Sequence, residues 1–123
     1  MKLKEISYIH SEAFASGELK HGTIALITKK TPVIALLTQN NLKSKQISNI
    51  KEVESRGADV ISLIKESLIG DDIKCDFALP ELKDDFMAVP AITAMQLLAY
   101  YVSSDKGLDV DKPRNLAKVV TVE

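Results

Sequence analysis

The sequence has one cysteine, no tryptophan and few aromatic residues among its 123 positions. A single thiol, Cys75, excludes an internal disulfide and any zinc site built from cysteines. The net charge is −1 and the basic residues form no run, so the chain has no electrostatic footprint for nucleic acid or an anionic membrane. No apolar run approaches the ~20 residues that span a bilayer, and charges recur too often near Met1 for a signal peptide. These absences predict a cytoplasmic protein with neither a nucleic-acid nor a membrane partner.

Glycine-rich phosphate loops, internal repeats and low-complexity segments are also absent, so the sequence offers no nucleotide site. Paired aspartates at Asp71 and Asp72 lack the further oxygen ligands of a calcium loop, and no metal or cofactor is predicted. What remains is ordinary for a globular protein, with 46% hydrophobic and 27% charged residues. The length fits a single domain with a real core.

The most informative stretch is the first, from Met1 to Gly22. At about 100° per residue, its apolar positions fall on one stripe, which predicts a helix that ends at Gly17. That stripe is formed by Leu3, Ile6, Ile9, His10 and Ala13.

Three proton-handling side chains belong to this stretch. Lys2 and Glu5 lie three residues apart at the margin of the stripe, where poorer solvation can tune their proton affinities. His21 follows in a tight turn beside Gly22. The alternatives remain open, because such a charged pair is most often a surface pair and a lone histidine is more often structural than catalytic.

The middle of the chain predicts a parallel sheet. Residues 33–37 and 59–64 are continuous apolar runs of strand length, which is typical of strands covered on both faces. An amphipathic helix lies between them and ends at Arg56 and Gly57. Strand, helix and strand in this order form a right-handed crossover unit. Residues 75–79, which include Cys75 as a core position, predict a third strand.

A long helix is expected from Pro90 to about Ser104, followed by an ordered tail from Leu108 to Glu123. The helix is apolar nearly all round, which predicts that it is largely buried. In the tail, Lys118 is flanked by apolar residues. A desolvated lysine can attack a carbonyl to form a Schiff base, whereas a solvated tail lysine would have no such role, and spacing alone favours the solvated reading.

Two motifs at opposite ends of the chain carry a family resemblance. Residues 3–22, LKEISYIHSEAFASGELKHG, resemble the start of the last sugar-isomerase (SIS) segment of the glutamine–fructose-6-phosphate aminotransferases, which make glucosamine 6-phosphate. Residues 109–123, DVDKPRNLAKVVTVE, resemble the C-terminal tail of that family. Sequence similarity at residues 48–60 and 96–118 extends the resemblance over nearly the whole chain.

The resemblance implies a role for each site residue. Lys118 would form the imine with open-chain fructose 6-phosphate, Glu5 would move a proton between C1 and C2, and His21 would assist ring opening. Lys2 and the backbone around Ala117 would contact the sugar. The resemblance also implies a homodimer, with the histidine reaching the neighbouring subunit's site.

The sequence departs from the family pattern in two small ways and one large way. Thr23 stands where the family often has proline, and Val119 where it often has serine. Neither change touches the named side chains. The large departure is that nothing resembles the glutamine-hydrolysing domain or the first isomerase half with its phosphate cradle. We therefore expect this chain to be the last third of the isomerase region, cut out or separately encoded.

The fold class we predict is α/β: three α/β/α layers around a mainly parallel sheet, flavodoxin-like, with an extended catalytic tail. Residues 1–107 would form the second SIS subdomain and residues 108–123 the tail. The predicted function is the isomerase segment of the aminotransferase, inactive alone because the phosphate cradle is missing. Two alternatives are a subunit of a stand-alone sugar-phosphate isomerase or deaminase, and a non-catalytic sugar-phosphate-binding module.

Overall fold

The computed structural model describes residues 2–114 and divides the chain into two compact units. One unit is Phe14–Ala91; the other joins the described parts of Met1–Ala13 and Ile92–Glu123. Ala117 and Lys118, two of the predicted site residues, lie outside the described residues.

The unit Phe14–Ala91 is built on a three-stranded parallel sheet in the order β1-β2-β3. The strands are β1 (Pro32–Leu37), β2 (Asp59–Lys65) and β3 (Phe77–Leu79), with Pro32 opposite Asp59 and Leu63 opposite Phe77. Helix α2 (Lys43–Ser55) is the crossover between β1 and β2. The predicted α/β class with a parallel sheet is confirmed.

The core of this unit lies between α2 and one face of the sheet. Because α2 buries Ile47, Ile50 and Val53 at spacings of three, one stripe of the helix faces inward. The buried cluster consists of Leu37, Ile47, Ile50, Ile64 and Leu68, and Cys75 packs partly buried against it. Gly57 ends α2 as predicted, at φ 91°, where a Cβ would lie 3.1 Å from Lys29 Cα.

The third strand begins two residues later than predicted, at Phe77. Before Phe77, hydrogen bonds that involve side chains take the place of the backbone ladder between β2 and β3. Ser62 Oγ donates to the carbonyl of Lys74, and the Ser62 N–H donates to Asp76 Oδ2 at 2.9 Å. The predicted strand, residues 75–79, therefore includes residues that lie beside β2 but do not belong to β3.

The other unit contains α1 (Lys2–Ser7) and most of α3 (Ala88–Asp105). The expectation that the first helix continues to Gly17 is wrong, because α1 ends at Ser7. Ser7 Oγ donates to the carbonyl of Leu3 at 2.5 Å, and Tyr8 turns the chain at φ 59°. Ile9, His10 and Ala13 are consequently exposed and form no stripe with Leu3 and Ile6.

Pro90 stands in the first turn of α3, as predicted. The expectation that α3 is largely buried is wrong. Ala91, Ala99 and Ser103 are buried, but much of the remaining surface is exposed. The helix is apolar on every side, whereas the described residues cover only one stripe of it. The exposed apolar side chains are those of Val89, Ile92, Leu97, Tyr100 and Tyr101.

By length and composition alone, the helical stretch Asp84–Asp105 is also sufficient to cross a membrane. The core helix of a soluble protein meets the same criterion, so this observation is weak evidence for a membrane span.

Candidate active site

Glu5 and Lys2, two of the predicted site residues, are paired on α1. Lys2 Nζ lies 3.4 Å from Glu5 Oε2, one helical turn away. The Glu5 side chain is 27% exposed, whereas that of Lys2 is 65% exposed. The carboxylate is therefore partly withdrawn from solvent and paired with a more exposed ammonium group.

The end of α1 is joined to the segment that follows α3. Lys106 Nζ donates to the carbonyl of Ser7 at 2.6 Å. The Arg114 N–H donates to Tyr8 Oη at 2.7 Å, and the Arg114 guanidinium lies 4.2 Å from the centre of the Tyr8 ring. These contacts bring the start of the predicted catalytic tail to the end of the helix that carries Glu5.

His21, the third predicted group within the described residues, is exposed at the end of a 3-10 helix, Ser16–His21. Gly22 follows at φ 131°, a conformation that strongly favours glycine. Asn49 Nδ2 donates to the carbonyl of Ser16 at 3.1 Å, which ties this turn to α2. A turn held in this way presents an imidazole to solvent at a defined place.

A salt bridge supports the same turn. Lys20 Nζ lies 3.0 Å from Glu52 Oε2 on α2. The hydrogen bond from Lys20, aided by Arg56, lowers the pKa of the Glu52 carboxyl below its ordinary value. His21 belongs to the unit Phe14–Ala91 and Glu5 to the other unit.

Sequence reasoning missed a charged cluster at the carboxyl edge of the sheet. Lys65 ends β2 with its side chain only 2% exposed, and its Nζ lies 3.0 Å from Glu81 and 2.9 Å from Asp84. Glu81 also accepts the Ser67 N–H, and Asp84 accepts the Asn40 N–H at 2.8 Å. The cluster joins the loops that follow all three strands. A lysine ending an apolar strand, followed by an acidic loop, was the signal available in the sequence.

These contacts line an open depression of about 470 Å³. In parallel α/β sheets the carboxyl edge is where ligands usually bind. Here the buried ammonium is already neutralised by two carboxylates, so the cluster's demonstrable role is to order the loops. The lining residues are Asn40, Lys65, Glu81, Leu82, Lys83 and Asp84.

The cluster predicts a pH dependence of stability. Hydrogen bonds from Lys65 lower the pKa of Glu81 from its ordinary 4.5 and that of Asp84 from its ordinary 3.8. Since both pKa values are lower in the folded state, this stabilisation is fully present above about pH 4.5 and is lost as the pH falls further. Among residues 2–114, four carboxyls have lowered pKa values, at Glu52, Asp76, Glu81 and Asp84.

We expect the double variant Glu81→Gln/Asp84→Asn to show a smaller drop in stability between neutral and acid pH than the wild type, because two of the carboxyls with lowered pKa values are gone. Its urea midpoint should be lower than that of the wild type at neutral pH, because Lys65 is left buried without its partners. Circular dichroism during urea titration at both pH values measures this, with the exposed Glu66→Gln as control. An unchanged pH dependence would contradict the assignment.

The SIS domain family model matches residues 1–103, so the chain belongs to the SIS domain family. The chain is 57% identical over its full length to the glutamine–fructose-6-phosphate aminotransferase (isomerizing) of Clostridium acetobutylicum, and 54% identical to that of Lactiplantibacillus plantarum. It spans only about a fifth of the length of these relatives, 21% and 20%.

Solved structures support the same family assignment. The C-terminal domain of glucosamine-fructose-6-phosphate aminotransferase from Francisella tularensis superposes with a TM-score of 0.76 at 40% identity, over 91% of this chain and 32% of that one. Glucosamine-6-phosphate deaminase from Thermotoga maritima superposes with a TM-score of 0.67 at 31% identity, over 98% and 34%. The expected family resemblance is confirmed, together with the α/β SIS fold.

Proposed function

We propose that this chain is the segment of an isomerising glutamine–fructose-6-phosphate aminotransferase that carries the ketose–aldose chemistry. The structural observation that supports it most is the half-buried Glu5 carboxylate paired with Lys2 on α1, the helix to which the start of the tail is tied. The 57% identity to an aminotransferase along the whole chain supports the same reading. The proposal includes a soluble, cytoplasmic protein.

Each residue has a defined role in this proposal. The Lys118 amine attacks the C2 carbonyl of open-chain fructose 6-phosphate, and water leaves to give an imine. Ammonia then replaces the Lys118 amine at C2 by imine exchange, which frees the lysine. Glu5 takes a proton from C1 and returns it at C2, which converts the ketose imine into the amino aldose. His21 exchanges a proton with the ring oxygen during ring opening, and Lys2 and Ala117 contact the sugar.

Because this chain spans only about a fifth of its relatives' length, the proposal also includes the domains that it lacks. We infer that a first SIS half and a glutaminase domain complete the enzyme, and that the functional unit is a homodimer in which His21 serves the neighbouring subunit. The 123-residue chain alone is then expected to bind and react without completing turnover.

The test is a borohydride trap. The purified chain is incubated with excess fructose 6-phosphate, reduced, and mapped by mass spectrometry. We expect one sugar adduct, on Lys118, and its loss in Lys118→Arg, because the guanidinium is not nucleophilic at neutral pH. Lys112→Arg, six residues earlier in the same segment, is the matched control and should leave the adduct unchanged.

Two outcomes would contradict the proposed imine. One is the absence of an adduct in the wild-type chain. The other is labelling scattered over many of the 14 lysines, which favours the non-catalytic module.

A sugar-phosphate deaminase is the second candidate, because a deaminase is among the structural neighbours and matches nearly the whole chain. The two functions differ in the fate of the nitrogen. Release of ammonia from glucosamine 6-phosphate, measured with the chain and any subunit that co-purifies from the native source, would favour the deaminase. A requirement for glutamine would favour the aminotransferase.

A further inference from the structure

We propose that Lys106 is a positioning residue for Glu5, which it holds in place by fastening the end of α1; this rests on the proposed function. Lys106 Nζ donates to the carbonyl of Ser7, the last residue of α1, at 2.6 Å. Glu5 lies two residues earlier, which is about 3 Å along the axis of the same helix. Lys106 therefore acts on Glu5 through the helix, without touching the sugar.

Helix α1 is too short to be stable by itself. It has six residues, fewer than two turns, whereas isolated helices below about 12 residues are only marginally stable in water. The last carbonyl groups of a helix also lack partners within it and need donors from elsewhere. The carbonyl of Lys4 accepts the Tyr8 N–H at 3.1 Å, and that of Ser7 accepts the Lys106 ammonium. The Lys106 contact therefore fastens α1 to chain that lies 99 positions later.

Burial makes the Ser7 carbonyl dependent on this donor. Ser7 is completely buried, so solvent does not reach its carbonyl to take the place of Lys106. The Ser7 hydroxyl is already engaged, because Oγ donates to the carbonyl of Leu3 at 2.5 Å. A buried acceptor left without a donor destabilises the conformation that buries it. Removing the ammonium therefore favours conformations in which the last turn of α1 is open.

The backbone of Lys106 is fixed independently of α1, by the C-terminal cap of α3. The Gly107 N–H donates to the carbonyl of Ser104 at 2.8 Å, and the Leu108 N–H donates to that of Ser103 at 3.0 Å. Gly107 adopts φ 68°, the left-handed conformation that this cap requires. The long helix thus supplies a defined base for the Lys106 side chain, and the short helix is the partner that depends on it.

The position of Glu5 matters because proton transfer tolerates little displacement. A shift of about 1 Å in a reacting group can lower a rate by about 100-fold. Opening of α1 also separates Glu5 from Lys2, because their 3.4 Å contact depends on the helical spacing of three residues. Loss of the Lys106 ammonium should therefore slow the step that Glu5 performs.

Amide hydrogen exchange of the full chain tests the fastening without sugar. The Tyr8 N–H reports on the last turn of α1, because its bond to the carbonyl of Lys4 breaks when that turn opens. We expect it to exchange about 5- to 150-fold faster in Lys106→Met, the range set by an unsatisfied buried acceptor. Lys106→Arg keeps a donor and should restore most of the protection. Protected amides in β2 show in the same sample that the fold is intact.

A double-mutant cycle tests whether Lys106 acts through Glu5. The enzyme is a full-length relative in which this chain replaces the matching segment, assayed at saturating fructose 6-phosphate and glutamine. We expect Lys106→Met to lower kcat by about 10- to 100-fold when Glu5 is present and to have little further effect in the Glu5→Gln background. A mutation that merely destabilises the fold lowers kcat by the same factor in both backgrounds. Lys112→Met, which changes an exposed lysine six residues later, is the matched control and should leave kcat unchanged.

Two results would overturn the positioning role of Lys106. One is an unchanged exchange rate of the Tyr8 N–H in Lys106→Met, and the other is an equal loss of kcat in the two backgrounds of the cycle. Full activity of the Glu5→Gln enzyme would instead contradict the proposed function, and the Tyr8 exchange rate would still decide whether Lys106 fastens α1.

Discussion

Replacing Glu5 with glutamine is expected to lower the formation of glucosamine 6-phosphate by about 10²- to 10⁴-fold, the usual contribution of a general base. An amide cannot accept the C1 proton, and it also loses the ion pair with Lys2. The measurement is kcat of a chimera in which this chain replaces the matching segment of a full-length relative. The chimera supplies the domains that we infer are needed for turnover.

Glu12→Gln is the matched control, because Glu12 is an exposed glutamate in the same N-terminal stretch. It should retain the activity of the unmodified chimera. The isolated chain, assayed beside the chimera, should give no product. An active Glu5→Gln chimera would remove Glu5 from the proton transfer, and turnover by the isolated chain would show that the inferred additional domains are unnecessary.

The second large effect concerns the sheet that holds the carboxyl-edge loops. Ile64 lies on β2, the central strand, and is completely buried in the core cluster. Ile64→Ala should destabilise the fold by about 2–5 kcal/mol, because it removes buried apolar contacts and leaves a cavity. That is a large part of the ~5–15 kcal/mol typical of a domain. Urea unfolding followed by circular dichroism measures the loss.

Ile61→Ala provides the comparison on the same strand, since Ile61 is 37% exposed. It removes the same atoms from a site already in contact with water, so its loss should be clearly smaller. Equal losses at the two positions would mean that Ile64 is not in the core that the structure shows.

Much of the sheet could be predicted from the sequence because its signals are local. The apolar runs that became β1 and β2, the amphipathic helix between them and the stop at Gly57 each follow from a few adjacent residues. The predicted first helix failed for a local reason of a different kind. The hydroxyl of Ser7 and the left-handed Tyr8 ended α1 before the apolar pattern did.

Exposure of α3 could not be predicted from its composition. A helix that is apolar all round indicates burial only if enough chain is present to cover it, and the described residues cover one stripe. The cluster around Lys65 was missed for a related reason. Its ion pairs join residues 16 and 19 positions apart, which no local pattern reveals.

The sequence by itself determined the α/β class and the family, and the resemblance to that family implied Glu5, His21, Lys2, Ala117 and Lys118 as candidate site residues. Motifs and periodicity are properties of adjacent residues, so they can be read without coordinates. Only the tertiary structure decided that Lys65 is buried among the loops after the strands, and that Arg114 stacks on Tyr8. Those contacts join residues as far as 106 positions apart, and folding alone brings such residues together.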